Sequence, residues 1–222
     1  MNPIETIDYR NHKIKIFQDE DAQNPITEDD QPAGTLFFTS TRRDHNRYWL
    51  RGEEPECGIN QFLIRFANNE ESDHEFEKIH YWLPIYKFEH GGVAYRNEPF
   101  NDPWDSGLVG MVAIPKSTAK QEWAKDPRQG ALNYLESLTE QFSAWANGDC
   151  YGYVAEDVDG EDIDSCWGYV GDMDYVISEA KSAVDYHVEH ADPHELKVKE
   201  WRRQVAAKLT LAGFGEWLKL TI

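Results

Sequence analysis

Five carboxylates crowd into eight residues, Asp157-Val158-Asp159-Gly160-Glu161-Asp162-Ile163-Asp164, and five more follow at Asp172, Asp174, Asp185, Glu189 and Asp192. Acids at this density can hold a divalent cation, receive a basic partner, or stand solvated. If the flanking aromatic-rich runs, residues 151–158 and 161–170, pair as strands across a two-residue loop, Asp157 lies opposite Asp162 and Ala155 opposite Asp164. Like charges facing each other on a ladder are destabilising, so a metal, a partner or solvent has to compensate. Asp185 and Glu189 repeat the theme at helical i, i+4 spacing, with Asp192 beside them. A rigid array of carboxylates can imitate duplex phosphates and occupy a groove lined with Lys and Arg. These ten residues are the candidate partner-binding set, and a solvated acidic face is the plain alternative.

Other chemistries fit less well. Taking Gly160 as the sixth position of a calcium loop puts Ala155 first and Cys166 twelfth, so both ligand positions fail. His187, His190 and His194 have ligand-like spacings, but Pro193 interrupts the helix between the last two, and His187 falls on an inner stripe. Trp104-Asp105-Ser106-Gly107 is not G-x-S-x-G and has no strand directly before Ser106, so it reads as a turn whose odd φ falls on Gly107. Cys57, Cys150 and Cys166 could each meet a distant histidine, as in thiol hydrolases, but Cys166, opposite Tyr153, reads as packing. No catalytic residue, metal ligand set or cofactor is expected.

The chain has 222 residues and a net charge of −19, which argues against direct nucleic-acid binding, because phosphate contacts need Lys and Arg. Residues 149–195 hold fourteen Asp and Glu against Lys181 alone, or −13 of that total. The sign then reverses: Lys197, Lys199, Arg202, Arg203, Lys208 and Lys219 face only Glu200 and Glu216. This basic tail could dock on the acidic segment, covering it, or help the protein dimerise with the Trp201 helix as the seam; the choice stays open. Eight Trp support a substantial core, the three cysteines lack a C-x-x-C, and there is no apolar run of membrane length or signal peptide. The expectation is a soluble protein of a reducing cytoplasm, with no membrane partner.

The elements that position the acids read as follows. Asp159-Gly160 predicts a type I′ hairpin turn, with Val158 opposite Glu161, Gly152 opposite Trp167 and Tyr151 opposite Gly168. Residues 13–17 (KIKIF) and 35–40 (TLFFTS) read as strands that could pair with each other, around an acidic loop at 19–31. Residues 60–67 suggest a short helix and 68–77 a polar loop. Residues 81–89 form a strand with an edge or bulge at Pro84, which returns through His90-Gly91-Gly92 to 93–96. Residues 108–114 (LVGMVAI) read as a buried strand. Ser117 or Thr118 is placed to cap a short helix, Asp126-Pro127 breaks it, and residues 130–146 form a helix stopped at Asn147-Gly148. Asp172 or Asp174 caps a helix to about Asp192, with an inner stripe of Val176, Ala180, Ala183 and His187. Pro193 starts another, with Val198, Trp201, Val205 and Leu209 on one face, ending at Gly213 and Gly215.

The run YRNHKIKIFQDEDAQNP, YWLPIYKFEHGGVAY, PWDSGLVG, GDCYGYVAEDVDGEDIDSCWGYVG and ISEAKSAVDYH resembles an uncharacterised family of bacteriophage and mobile-element accessory proteins. That family shows W-D-S-G-x-V-G, G-x-x-Y-G and D-S-C-W-G steps in this order. The resemblance covers residues 8–188. It implies a phage-type accessory protein and carries over no activity and no catalytic residue.

The reading is α+β: an antiparallel sheet with hairpins, helices packed on one face and at the C-terminal end. Residues 1–192 form an acidic domain and 193–222 a basic helical tail packed on it, a single domain overall. The expected function is a non-enzymatic accessory protein that binds a basic, nucleic-acid-binding host protein in the host cytoplasm, as a DNA mimic that inhibits a defence or processing system. A small metal-dependent hydrolase or nucleotide-handling enzyme is the first alternative and an oligomeric scaffold the second.

Overall fold

The computed structural model describes residues 2–27, 31–39, 49, 50, 52–70 and 73–209. The expected stop at Gly213 and Gly215 lies outside these residues. The fold is α+β, built on two antiparallel sheets. The first holds β1 (Glu5–Tyr9), β2 (His12–Gln18), β8 (Cys150–Glu156) and β9 (Asp162–Val170), in the order β1-β2-β8-β9. The second holds β3 (Leu36–Thr39), β4 (Trp49–Leu50), β5 (His80–Glu89), β6 (Val93–Arg96) and β7 (Ser106–Pro115), in the order β4-β3-β7-β5-β6. The helices are α1 (Ile59–Ala67), α2 (His74–Ile79), α3 (Lys116–Glu122), α4 (Pro127–Asn147), α5 (Met173–His190) and α6 (Pro193–Leu209).

The second sheet and its helices are inserted between β2 and β8. The expected pairing of TLFFTS with KIKIF does not occur: β3 pairs with β4 and β7, while β2 pairs with β8, Ile16 opposite Tyr153. Strand β7 explains why the insertion stands as a layered unit. Its apolar run is buried on both faces, so Val112 and Ile114 join Leu135, Leu138 and Phe142 of α4, while Met111 and Ala113 meet Phe62 of α1 and Phe76 of α2. Helices therefore cover both faces of this sheet rather than one. Close approach of β3 also requires a glycine, because a Cβ at Gly110 would lie 1.9 Å from the Phe38 carbonyl oxygen.

Helix α4 begins earlier than its apolar stripe suggests, because Asp126 caps it by accepting from the Gln129 amide and Pro127 fits the first turn. Gly148, at φ 82°, ends it. Helix α3 is capped by neither Ser117 nor Thr118. It starts directly after Pro115 without a side-chain cap, and the Thr118 hydroxyl donates to the Ala33 carbonyl instead. The segment expected as a polar loop, 68–77, instead runs into α2, capped by Asp73 and anchored by Phe76.

The first sheet carries the acidic hairpin. Ile14, Ile16, Tyr153 and Ala155 point from β2 and β8 onto Val176, Ala180 and Val184 of α5, which fixes helix and hairpin as one body. Val184 takes the inner position expected for His187, which is only half-buried. Among the described residues no helix is long and apolar enough to cross a membrane.

Candidate functional site

The β8–β9 hairpin keeps the expected register through its middle, with Tyr153 opposite Cys166, Val154 opposite Ser165 and Ala155 opposite Asp164. Its two ends differ. Glu156, not Asp157, faces Asp162, and Tyr151 faces Tyr169, because β9 carries an extra residue near each end. The turn is not type I′: only Gly160, at φ 80°, has positive φ there. Asp157 replaces the missing backbone pattern with its side chain. Its Oδ1 accepts the amides of Asp159 at 2.9 Å and Glu161 at 3.0 Å, while its backbone N–H donates to the Glu161 carbonyl. This is a three-residue loop closed by a left-handed glycine. The type I′ turn lies elsewhere, at Arg10-Asn11 between β1 and β2, where both residues have positive φ, 50° and 62°.

Holding Arg10 in a left-handed conformation costs about 1 kcal/mol. It aims the guanidinium at Asp185 Oδ1, 2.6 Å away, where the Tyr9 hydroxyl also donates at 3.1 Å. Arg10, seconded by Tyr9, holds the Asp185 carboxyl below the usual carboxylate range, with burial opposing them.

The described part of the basic tail, α6, docks on the acidic hairpin. Lys199 Nζ of α6 sits between Asp157 Oδ2 and Glu161 Oε2, 2.9 Å from each, and Arg203 Nε lies 3.2 Å from Asp159 Oδ1. Glu161 and Asp157 raise the pKa of Lys199. Burial works to raise that of Asp157, but Lys199 and the amides of Glu161 and Asp159 outweigh it and hold the carboxyl low. Asp157 is 8% exposed.

The ten candidate carboxylates thus divide. Asp157, Asp159 and Glu161 are engaged by α6, so the tip is covered in this conformation. Asp185 is paired to Arg10. Asp164 accepts from the buried Tyr153 hydroxyl at 2.6 Å, and burial followed by this carboxylate raises the phenol pKa. Asp172 caps α5 through the Asp174 amide, and Asp192 accepts the His194 amide. Asp162, Asp174 and Glu189 are exposed and form no ion pair among the described residues. The shift in register exchanges the facing pair Asp157–Asp162 for Glu156–Asp162, and Lys15 of β2 pairs with Glu156.

Sequence reasoning named Lys199 and Arg203 only as part of a basic tail. The signal that could have placed them is their i, i+4 spacing, about 6 Å along a helix, against alternate acids at 157, 159 and 161. Arg10 was missed because its turn has neither the Asn-Gly nor the Asp-Gly that marks such turns.

The remaining candidates take ordinary roles. Asp102 Oδ1 accepts the amides of Trp104 and Asp105, and the Ser106 hydroxyl donates to the Asp102 carbonyl. Gly107 does not have positive φ, so the turn rests on Asp102 rather than on a glycine. His90 pairs with Asp105 at 2.8 Å. Cys166 is exposed rather than packed, and Cys150 is buried, which pushes its thiol pKa up, away from nucleophilic use. His187 meets His12 edge to face, and His190 Nδ1 lies 2.8 Å from the Tyr186 carbonyl. Among the described residues no group of three or more His, Cys, Asp or Glu is placed to hold a metal ion. No family model matches the chain, and neither a curated protein nor a solved structure matches it.

Proposed function

We propose that the protein is a non-enzymatic, phage-type accessory protein that acts in the host cytoplasm by presenting carboxylates to a basic host protein. The partner is one that binds nucleic acid, and the mechanism is competitive occupation of its Lys- and Arg-lined groove, which would inhibit a defence or processing system. The observation that carries this reading is the exposed set Asp162, Asp174 and Glu189, which forms no ion pair among the described residues once the internal pairings are satisfied. These acids stand on β9 and α5, two elements held by a shared core, so their spacing is fixed before binding.

Affinity capture from host lysate across a salt series tests it. A basic nucleic-acid-binding protein should be retained at low salt and released steeply as salt rises, as for any contact that replaces phosphates. The triple reversal Asp162→Lys, Asp174→Lys and Glu189→Lys should abolish capture while the fold persists. Undiminished capture by that variant would sink the proposal.

A further inference from the structure

The acidic tip already has an occupant, and it is a basic helix of the same chain. Lys199 bridges Asp157 and Glu161, and Arg203, one turn on, reaches Asp159. Among the described side chains, apolar burial adds little to hold α6. Among its described side chains none is fully buried: Val198 and Val205 are half-buried and Trp201 is 64% exposed. It is joined to α5 only through Ala191 and Asp192. Among the described residues a cleft of about 330 Å³ adjoins it, lined by Val158, Val188, Ala191, His12 and His187 beside the two cations.

We propose that α6 is a displaceable internal ligand: the tip formed by Asp157, Asp159 and Glu161 is a docking surface for a basic helix, α6 holds it in the free protein, and a Lys- and Arg-bearing helix of the partner replaces it. This rests on the reading of the protein as an acid-presenting binder. The chemistry of the occupant is set by what sits there now, an ammonium and a guanidinium four residues apart. The driving force for exchange is the cleft. A partner helix that places an apolar side chain against Val158 and Val188 gains contacts beyond the two ion pairs, and only such a difference can shift the equilibrium. The short tether gives α6 a high effective concentration at the tip, so weak basic sequences are kept out.

The test uses the full chain and, as probe, a synthetic peptide copying residues 193–209. In the native protein, hydrogen exchange of α6 amides should speed up as salt rises, with β8 and β9 unchanged, because the charges that hold α6 are screened. Lys199→Gln with Arg203→Gln should free α6 and let the added peptide bind the tip at least roughly tenfold more tightly than it binds the native protein. Peptide binding that is equal in the two proteins, or α6 exchange that ignores salt, would show that α6 is a fixed part of the fold. Capture of the lysate partner separates the two readings. Equal capture by native and double-variant protein keeps the acid-presenting function and removes the strap. Stronger capture by the variant supports both. Peptide binding confined to the variant, with no lysate partner, keeps the strap and removes the function.

Discussion

Asp157 is both the organiser of the hairpin turn and the seat of Lys199, and its environment makes separate demands on its shape and its charge. Replacing it with Ala removes the acceptor of two partly buried amides as well as the charge, and should lower stability by about 2 kcal/mol in urea unfolding. Asp157→Asn keeps an acceptor for the amides and should cost less, while still loosening α6. Equal losses in the two variants would show that the charge, not the turn, is what matters. Because the folded carboxyl is held low, its contribution is present above its ordinary value of 3.8 and is lost as pH falls below it. His80 behaves in the same direction at a higher pH. It is buried, stacks on Phe76 at 4.1 Å, and its Nε2 has no hydrogen-bond partner among the described residues. Burial, against the Phe76 carbonyl and Glu53, lowers its pKa from 6.5. The unfolded chain therefore takes up a proton that the folded one resists, so stability is full above 6.5 and declines as pH falls through that value. The urea midpoint should drop between about pH 8 and about pH 5, and His80→Phe, which keeps the ring stack, should flatten part of that drop. An unchanged pH slope in His80→Phe would assign the drop to other groups.

Among the elements, the β8–β9 hairpin shows what packs a strand pair that has one glycine under a large ring. A Cβ at Gly152 would lie 2.2 and 2.5 Å from ring atoms of Trp167, and that ring also lies 5.7 Å from Phe17. Gly152→Ala should therefore destabilise by about 1–3 kcal/mol, the range for overpacking, and Trp167→Leu should relieve most of it in the double variant. Simple additivity of the two losses in thermal melts would contradict this account. The same hairpin marks where sequence patterns succeed. Alternating strands around Asp159-Gly160 identify the pair and its central register, because those signals are local. The turn type escapes, because a side chain, Asp157, supplies acceptors that the backbone pattern does not reveal. The pairing of β2 with β8 escapes for a different reason: KIKIF and TLFFTS have equally good strand patterns, and only the packing of α4 on the second sheet decides which neighbour each takes. Helix α2 shows the lower limit of pattern reading, since one buried residue, Phe76, cannot make a period. At the site, the acids were legible by composition, whereas their division into covered, paired and open groups depends on Arg10, Lys199 and Arg203 arriving from distant parts of the chain.

For the whole molecule, a net charge of −19 is a standing repulsion that folding concentrates into a smaller volume. The chain relieves part of it by bringing its basic segment to its most acidic one, α6 onto the β8–β9 tip, and by tying the N-terminal hairpin to α5 through Arg10 and Asp185. These two effects respond to salt in opposite senses. Screening weakens the repulsion among exposed acids and so favours the compact state, while it also weakens the attraction that keeps α6 in place. Lys199 lies between two carboxylates and is only partly exposed, so its contact fades more slowly than that of Arg203, whose side chain is more open. Added salt should therefore raise the global urea midpoint while hydrogen exchange in α6 accelerates, and the acceleration should begin at the Arg203 end. Neutralising Asp162, Asp174 and Glu189 to Asn or Gln should reduce the salt gain in global stability and leave the α6 response intact, because those acids contribute to the repulsion and not to the seat. A midpoint that falls with salt in step with α6 exchange would mean that the helix and the body unfold as one unit, with α6 part of the structural core rather than a separable layer on it.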